Sequence, residues 1–212
     1  MSAQFDRQRV LDSGLVAILR AASGERLPEI ARAVFEGGID ILEVTFTVPG
    51  AIDVLRQIRA ELGERALIGA GTVLDTETAR AALLAGADFL VSPTLNLDVI
   101  RLCRRYDKLV MPGAFTPTEV LAAWEAGADF VKIFPADVAG PAYLKALRGP
   151  LPQVRLMPTG GVTLSTLREF FDAGASAVGL GSALLEQDAV RDGNTERIRS
   201  LAAQFVERRR AR

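Results

Sequence analysis

Residues 126–135 read Ala126-Gly127-Ala128-Asp129-Phe130-Val131-Lys132-Ile133-Phe134-Pro135, the end of a predicted helix followed by an apolar strand. Glycine in such a place suits a helix C-cap in the left-handed region of backbone space. Similar helix ends precede predicted strands at near-regular intervals: Glu36-Gly37-Gly38-Ile39-Asp40, Ala85-Gly86-Ala87-Asp88 and Ala173-Gly174-Ala175-Ser176. The repeat predicts a chain built from successive βαβα units.

Short apolar runs alternate with amphipathic stretches over the rest of the sequence. The apolar runs predict strands at residues 15–20, 41–46, 67–73, 89–93, 109–114, 130–135, 155–160 and 177–180. Apolar positions spaced three and four apart predict helices that include residues 27–35, 51–62, 76–84, 117–124 and 164–171. Strands this apolar lack a face toward water, which is typical of a parallel sheet covered by helices.

Repeated units of this kind close naturally into a barrel. We therefore predict an α/β fold, a (β/α)8 TIM barrel with an extra N-terminal helix around residues 5–11. No linker or low-complexity segment interrupts the 212 residues, so one domain over residues 1–212 is expected.

The composition excludes several kinds of chemistry. The absence of histidine excludes a histidine base, a Ser-His-Asp triad and a His-rich zinc site, and a single cysteine excludes a cysteine-cluster metal site. The net charge of −1 gives no basic footprint for nucleic acid or a membrane surface. The N-terminus is polar, unlike a signal peptide, and no apolar run reaches the roughly 20 residues that span a bilayer. A cytoplasmic protein is expected.

The lysine inside the apolar run is the strongest indication of chemistry. Alternation along a strand puts Lys132 on the same face as Phe130 and Phe134. Desolvation lowers the pKa of a buried lysine and turns its ammonium group into a nucleophilic amine. The alternative is a structural lysine that forms a buried ion pair with Glu43. Because such a pair is often no more stabilising than apolar residues, the functional interpretation is favoured.

Polar side chains collect near the carboxyl ends of the predicted strands, where barrel enzymes keep their active sites. Strand alternation predicts that each shares a face with an inward-looking residue, as Thr72 does with Ala70 and Thr159 with Met157. A neutral lysine can attack a ketone to form an iminium, and a buried glutamate can carry protons. An arginine matches a carboxylate, and threonine hydroxyls can donate hydrogen bonds. The candidates are Arg20, Glu43, Thr45, Thr72, Lys132 and Thr159.

Two glycine-rich segments follow the last two predicted strands. They are Thr159-Gly160-Gly161-Val162 and Gly179-Leu180-Gly181-Ser182. Loops at these places of a barrel commonly direct backbone amides toward a phosphate. Either segment alone is a weak signal because barrel turns use glycine anyway, but together they predict a phosphate site. Phe134, beside Lys132, is expected to wall the same site.

Eight segments carry a family resemblance and run in order along nearly the whole chain. They are Ala17-Ile18-Leu19-Arg20, Leu42-Glu43-Val44-Thr45-Phe46-Thr47, Gly69-Ala70-Gly71-Thr72-Val73, Val91-Ser92-Pro93, Met111-Pro112-Gly113, Lys132-Ile133-Phe134-Pro135, Pro158-Thr159-Gly160-Gly161-Val162 and Gly179-Leu180-Gly181-Ser182. The chain resembles the family of 2-keto-3-deoxy-6-phosphogluconate (KDPG) and 4-hydroxy-2-oxoglutarate (KHG) aldolases. The resemblance implies a homotrimeric class I aldolase that needs no metal and no other cofactor.

The resemblance also implies a role for each matching residue. The lysine at Lys132 forms a Schiff base, the glutamate at Glu43 handles protons, and the threonine at Thr72 grips the pyruvate carboxylate together with an arginine. The other implied contacts are Thr159, Pro93 and Phe134 to the substrate, and Gly160, Gly161, Gly181 and Ser182 to its phosphate. Some members carry an arginine shortly after the glutamate, where this chain has Phe46-Thr47-Val48-Pro49. The carboxylate arginine is therefore expected to be Arg20.

The expected reaction is retro-aldol cleavage of KDPG, a small 2-keto-3-deoxy sugar phosphate, to pyruvate and glyceraldehyde 3-phosphate. The galactonate epimer is the nearest alternative substrate, but its branch favours Val-Gly-Gly where this chain has Thr159-Gly160-Gly161. KHG is a further alternative. Outside the family, the rivals are a phosphate-binding barrel isomerase or decarboxylase and a non-catalytic phosphosugar-binding barrel. Such isomerases and decarboxylases often use histidine or a metal, which the composition disfavours.

Overall fold

The computed structural model describes residues 3–211 as parallel strands alternating with helices. The strands are β1 (Leu15–Leu19), β2 (Ile41–Thr45), β3 (Leu67–Gly71), β4 (Phe89–Val91), β5 (Leu109–Met111), β6 (Gly113–Ala114), β7 (Val131–Ile133), β8 (Leu156–Pro158) and β9 (Val178–Leu180). The helices are α1 (Ala3–Ser13), α2 (Leu27–Glu36), α3 (Ala51–Leu62), α4 (Thr76–Leu84), α5 (Leu97–Arg105), α6 (Pro117–Glu125), α7 (Ala136–Arg148), α8 (Leu167–Asp172), α9 (Gln187–Asp192) and α10 (Thr195–Arg210), with a 3-10 turn at Gly63–Arg65.

The strands form a curled parallel sheet in two hydrogen-bonded parts. One part has the order β5-β4-β3-β2-β1-β9 and the other the order β6-β7-β8. β5 and β6 follow each other directly and are separated only by Pro112, whose missing N–H interrupts the single strand predicted over residues 109–114. At the opposite edge, a parallel bridge between Thr159 and Gly179 links the end of β8 to β9. The result is an α/β fold in which every strand pair is parallel.

The glycines at the repeated helix ends have the left-handed backbone conformation that the sequence predicts. Helices α2, α4, α6 and α8 each end just before a glycine in the left-handed region, which lets the chain turn sharply into the next strand. The φ values are +97° at Gly38, +102° at Gly86, +99° at Gly127 and +98° at Gly174.

Alternation along the strands separates two apolar cores. Val131 and Ile133 belong to the large core between the sheet and the surrounding helices, whereas Phe130 belongs to a smaller core enclosed by the strands. The prediction that Lys132 lies on the inner face of its strand is therefore confirmed. The smaller core also contains Ala3 and Val10 of α1, so this helix covers one end of the enclosed space.

Helix α1 lies at the amino ends of the strands and leaves their carboxyl ends open. Its Arg9 Nε donates to Asp40 Oδ2 over 2.8 Å, and Asp40 immediately precedes β2. Its Arg7 lies 3.7 Å from the carboxylate of Asp129, which precedes the strand that carries Lys132. No helix within residues 3–211 is both long and apolar enough to cross a membrane.

Candidate active site

Two oppositely charged side chains are buried inside the ring of strands. Lys132 on β7 is 5% exposed and Glu43 on β2 is 1% exposed. The Lys132 Nζ lies 5.1 Å from the centroid of the Phe134 ring, so an aromatic wall stands beside the amine as predicted. Glu43 Oε2 is buried and has no hydrogen-bond partner among residues 3–211, and no ion pair within 4.0 Å joins these two side chains.

Burial shifts both ionisation equilibria toward the neutral forms. Desolvation lowers the pKa of Lys132, and although nearby Glu43 raises it and Arg20 lowers it again, the balance is a lowered value. Desolvation raises the pKa of Glu43, a rise that Lys132 and Arg20 only partly oppose. The site therefore offers an amine that loses its proton readily beside a carboxyl group that holds one readily. These are the properties of a nucleophile and of a proton carrier.

A cavity of about 880 Å³ opens from this pair toward solvent at the carboxyl ends of the strands. Arg20, which directly follows β1, is exposed in it and has no hydrogen-bond or ion-pair partner in the described part of the chain. Of the residues predicted from the sequence, the cavity wall brings together Arg20, Lys132, Phe134, Thr159, Gly160, Gly161, Gly181 and Ser182. Glu43 lies buried beneath the wall, and Thr72 and Pro93 are not among the residues that form it.

The two glycine-rich loops line one end of the cavity with free backbone amides. Gly160 and Gly161 are both left-handed, with φ of +97° and +69°, so this turn requires glycine twice in succession. After β9, the amide N–H groups of Leu184 and Leu185 donate to the Gly181 carbonyl over 3.0 and 2.9 Å. Within residues 3–211, no backbone carbonyl accepts from the amides of Gly161, Val162, Ser182 or Ala183. An anion could accept from them.

The alternation argument for Thr72 was wrong at Ala70, and the place of Thr72 toward the substrate stays a prediction. Ile68 and Ala70 belong to the core between sheet and helices, so the inward positions of β3 are Leu67 and the two glycines, and Ala70 does not face inward. The strand ends at Gly71, and Thr72 then takes a φ of +59°. A left-handed conformation is rare for a β-branched residue, and it redirects the chain away from strand alternation. Thr72 is half-buried at the carboxyl end of β3.

Several residues of the cavity wall were not predicted from the sequence. Thr47 lines the cavity, and its hydroxyl lies 3.1 Å from that of buried Thr45. The outer wall comes from the loop after β1, with Ser23 and Arg26, and from Arg191 on α9. Their place after a predicted strand end was the only signal in the sequence.

Comparison with known proteins identifies the same family over most of the chain. The family model described as "KDPG and KHG aldolase" matches residues 7–201. The chain belongs to the KDPG and KHG aldolase family. It is therefore an aldolase, a carbon–carbon lyase. The 2-dehydro-3-deoxy-6-phosphogalactonate aldolase of Escherichia coli K12 is 39% identical over 194 residues, which cover 91% of this chain and 92% of that protein. The 2-dehydro-3-deoxy-phosphogluconate aldolase of Treponema pallidum is 35% identical over 196 residues, covering 91% and 93%.

A solved aldolase structure shows the chemistry of a relative. The KDPG aldolase of Legionella pneumophila, described with pyruvate captured as a covalent carbinolamine intermediate, has a TM-score of 0.86 at 29% identity and covers 93% of this chain and 96% of its own. The structure of a native KDPGal enzyme has a TM-score of 0.85 at 37% identity, covering 92% and 94%. Within the described residues of this aldolase, no group of three or more His, Cys, Asp or Glu side chains could hold a metal ion.

Proposed function

We propose that this aldolase works through a Schiff base on Lys132 and cleaves KDPG to pyruvate and glyceraldehyde 3-phosphate. The observation that carries the proposal is a lysine with a burial-lowered pKa that lines the cavity of a chain in an aldolase family. The neutral Lys132 amine attacks the C2 carbonyl, and loss of water from the carbinolamine leaves an iminium. This cation accepts the electron pair of the C3–C4 bond when that bond breaks.

Glu43 is proposed to move the protons of the reaction. Its carboxylate takes the proton of the C4 hydroxyl as the C3–C4 bond breaks, which releases the aldehyde and leaves an enamine. Protonation of the enamine at C3 and hydrolysis of the imine then release pyruvate and regenerate the amine. A buried carboxyl group with a raised pKa suits this alternation between base and acid.

The remaining residues are proposed to orient the substrate. Arg20 offers its guanidinium group to the pyruvate carboxylate from the cavity wall, where it is free of protein partners among residues 3–211. Thr72 and Pro93 stay predictions as substrate contacts, since neither belongs to the cavity wall described above. Phe134, which directly follows the lysine strand β7, and Thr159, which directly follows β8, both line the cavity. The phosphate is proposed to accept from the free amides of the Gly160-Gly161 and Gly181-Ser182 loops.

A second substrate has support of its own. The relative from E. coli K12 that is 39% identical is named for the galactonate epimer, whereas the KDPG aldolase of T. pallidum is 35% identical. We favour the gluconate because Thr159 offers a hydroxyl inside the cavity, where the galactonate branch favours valine. KHG, which lacks the phosphate, is the third candidate.

Measuring pyruvate release from equal concentrations of the three substrates tests this assignment. We expect the highest kcat/KM with KDPG and none with any substrate in Lys132→Met, while the exposed lysine variant Lys145→Met keeps full activity. A higher kcat/KM with the galactonate epimer would reverse the substrate assignment. Binding of all three without pyruvate release would instead indicate a non-catalytic phosphosugar-binding barrel.

The barrel architecture, the assembly and the location of this protein are proposed as well. The Pro112 break between β5 and β6 and the Thr159–Gly179 bridge support closure of both sheet parts into one (β/α)8 barrel, with α1 as its extra N-terminal helix. A single domain over residues 1–212 and a cytoplasmic location stay predictions. The homotrimer also stays a prediction. One relative forms part of a protein cage that was designed by fusing symmetric oligomeric domains. Light scattering in solution tests the trimer.

A further inference from the structure

The inner face of β3 is bare beside the buried glutamate. After Leu67, its inward positions are Gly69 and Gly71, and each glycine leaves room for a side chain from a neighbouring strand. A Cβ atom on Gly69 would lie 2.3–2.4 Å from three ring atoms of Phe89. A Cβ atom on Gly71 would lie 2.5 Å from Cδ and 2.8 Å from Cγ of Glu43, and nearer still to Oε1. Real Cβ atoms do not approach other atoms so closely, so alanine at position 71 would displace the glutamate.

The strand register shows which way the glutamate leans. The backbone of Glu43 pairs with Gly69, whereas Gly71 pairs with Thr45. The Glu43 carboxylate nevertheless lies against Gly71, one inward position further along the sheet. The side chain is therefore tilted toward the carboxyl ends of the strands, the end at which the cavity opens.

Packing, and not hydrogen bonding, restrains this carboxylate. Glu43 Oε2 has no hydrogen-bond partner among residues 3–211, so no hydrogen bond in that part of the chain fixes the direction of this oxygen. Gly71 does not have a left-handed φ, which means that its backbone conformation would accept alanine. Space for Glu43 is thus the requirement that glycine meets here.

We propose that Gly71 is a positioning residue of this aldolase. Because it has no side chain, the Glu43 carboxylate can lie against it and point toward the cavity that Lys132 lines. The proposal rests on the proposed role of Glu43 as the proton carrier. Gly71 itself does not touch the reacting atoms; it acts through the glutamate. A displacement of about 1 Å in a catalytic group can lower a rate about 100-fold.

Gly71→Ala tests the proposal, with Gly149→Ala as its matched control. Gly149 is exposed, has a φ of −55° and would carry a Cβ atom no closer than 3.4 Å to its nearest neighbour, the Ala146 carbonyl. We expect Gly71→Ala to lower kcat about 100-fold with little change in KM. The acid-side midpoint of the pH–rate profile should move to lower pH, because a carboxylate displaced toward water loses the burial that raises its pKa. Unchanged kcat and an unchanged midpoint would overturn the proposal.

A second substitution separates displacement from general damage. Glu43→Asp shortens the side chain by one methylene and withdraws it from the space that alanine would fill. In the Gly71→Ala background, Glu43→Asp should therefore cost at least about tenfold less in kcat than it does alone. If the loss of kcat in the double variant equals the product of the losses in the two single variants, the proposal is contradicted.

Measurements of folding and of Schiff-base formation distinguish failure of the positioning role from failure of the proposed function. If Gly71→Ala does not fold, Gly71→Ala combined with Glu43→Ala should fold as well as Glu43→Ala, since the colliding group is gone; a double variant that stays unfolded would contradict the proposal. Borohydride trapping with pyruvate on the unaltered enzyme and on Gly149→Ala reports on the Schiff base independently. An adduct there together with an unaffected Gly71→Ala rejects only the positioning role, whereas no adduct rejects the proposed function.

Discussion

Replacing Lys132 and Glu43 together by methionine is expected to abolish turnover and to raise the free energy of unfolding at neutral pH. Both side chains are buried, at 5% and 1% exposure, and no ion pair within 4.0 Å joins them among the described residues. Burial lowers the pKa of Lys132 and raises that of Glu43, so each charged form opposes folding. This arrangement is expected of a pair kept for chemistry.

The expected size of the gain follows from what replacing buried charged pairs does in other proteins. Replacing a buried pair of opposite charges by apolar side chains of similar volume is neutral or stabilises a protein by about 1–4 kcal/mol. We expect a gain in that range at pH 7. The single replacements should gain less, because each leaves the other charged group buried without its opposite charge.

The pH dependence gives the prediction a second signature. A lowered lysine pKa costs stability below the folded-state value, and the cost disappears as pH rises toward the ordinary value of 10.5. A raised glutamate pKa costs stability above the folded-state value, and the cost disappears as pH falls toward 4.5. The double variant should therefore gain most in free energy of unfolding at intermediate pH, where both costs are present. The gain should be smaller at low pH, where the glutamate cost disappears, and at high pH, where the lysine cost disappears.

Urea unfolding of the unaltered protein and the double variant at several pH values measures this difference. Lys145→Met, on the exposed surface, serves as the control and should change the free energy of unfolding by less than about 0.5 kcal/mol. A double variant that is less stable than the unaltered protein at pH 7 would refute the reasoning. It would favour the alternative in which Lys132 and Glu43 form a structural ion pair.

Three further predictions concern single groups at the site. The rate of borohydride trapping with pyruvate should rise with pH and reach half its maximum below the ordinary lysine value of 10.5, because burial lowers the pKa of Lys132. Arg20→Gln should raise the KM for pyruvate in the aldol direction about 10- to 100-fold through loss of a charged hydrogen bond, and leave urea unfolding within about 0.5 kcal/mol. Thr72→Asn should add about 1 kcal/mol to the free energy of unfolding, since asparagine tolerates the φ of +59°, and should weaken pyruvate binding.

Each of these has an outcome that contradicts it. A trapping midpoint at or above pH 10.5 would mean that Lys132 behaves as a solvated lysine. An unchanged KM for pyruvate in Arg20→Gln would remove the carboxylate role from this arginine and leave it to Thr72 or Thr47. A Thr72→Asn protein less stable than the unaltered one would show that its left-handed backbone carries no strain.

The elements predicted most accurately are those encoded by local pattern. Helices α3 and α4 begin and end at the predicted residues because a clear apolar period is bounded by turn signals. Lys132 could be placed on the inner face because β7 alternates regularly. The glycine helix ends were also readable, since a left-handed C-cap is a local requirement of the backbone.

Features that depend on the ends of strands were harder to predict. The predicted strands extend past the observed ones by one residue at Arg20 and by two residues at Thr72 and Thr159, because the sequence pattern does not show where the ladder of hydrogen bonds stops. Alternation therefore failed at Thr72, where a left-handed residue follows the strand. Gly71 and Glu43 are in contact across two neighbouring strands. The periodicity of a single sequence carries no information on such contacts between strands.

Borohydride reduction in the presence of pyruvate, followed by intact mass and peptide mapping, tests the central claim most directly. The account predicts one reduced pyruvyl adduct per chain, located on Lys132, and none in Lys132→Met. An adduct on another lysine, or no adduct on folded protein, would contradict the Schiff-base mechanism proposed here.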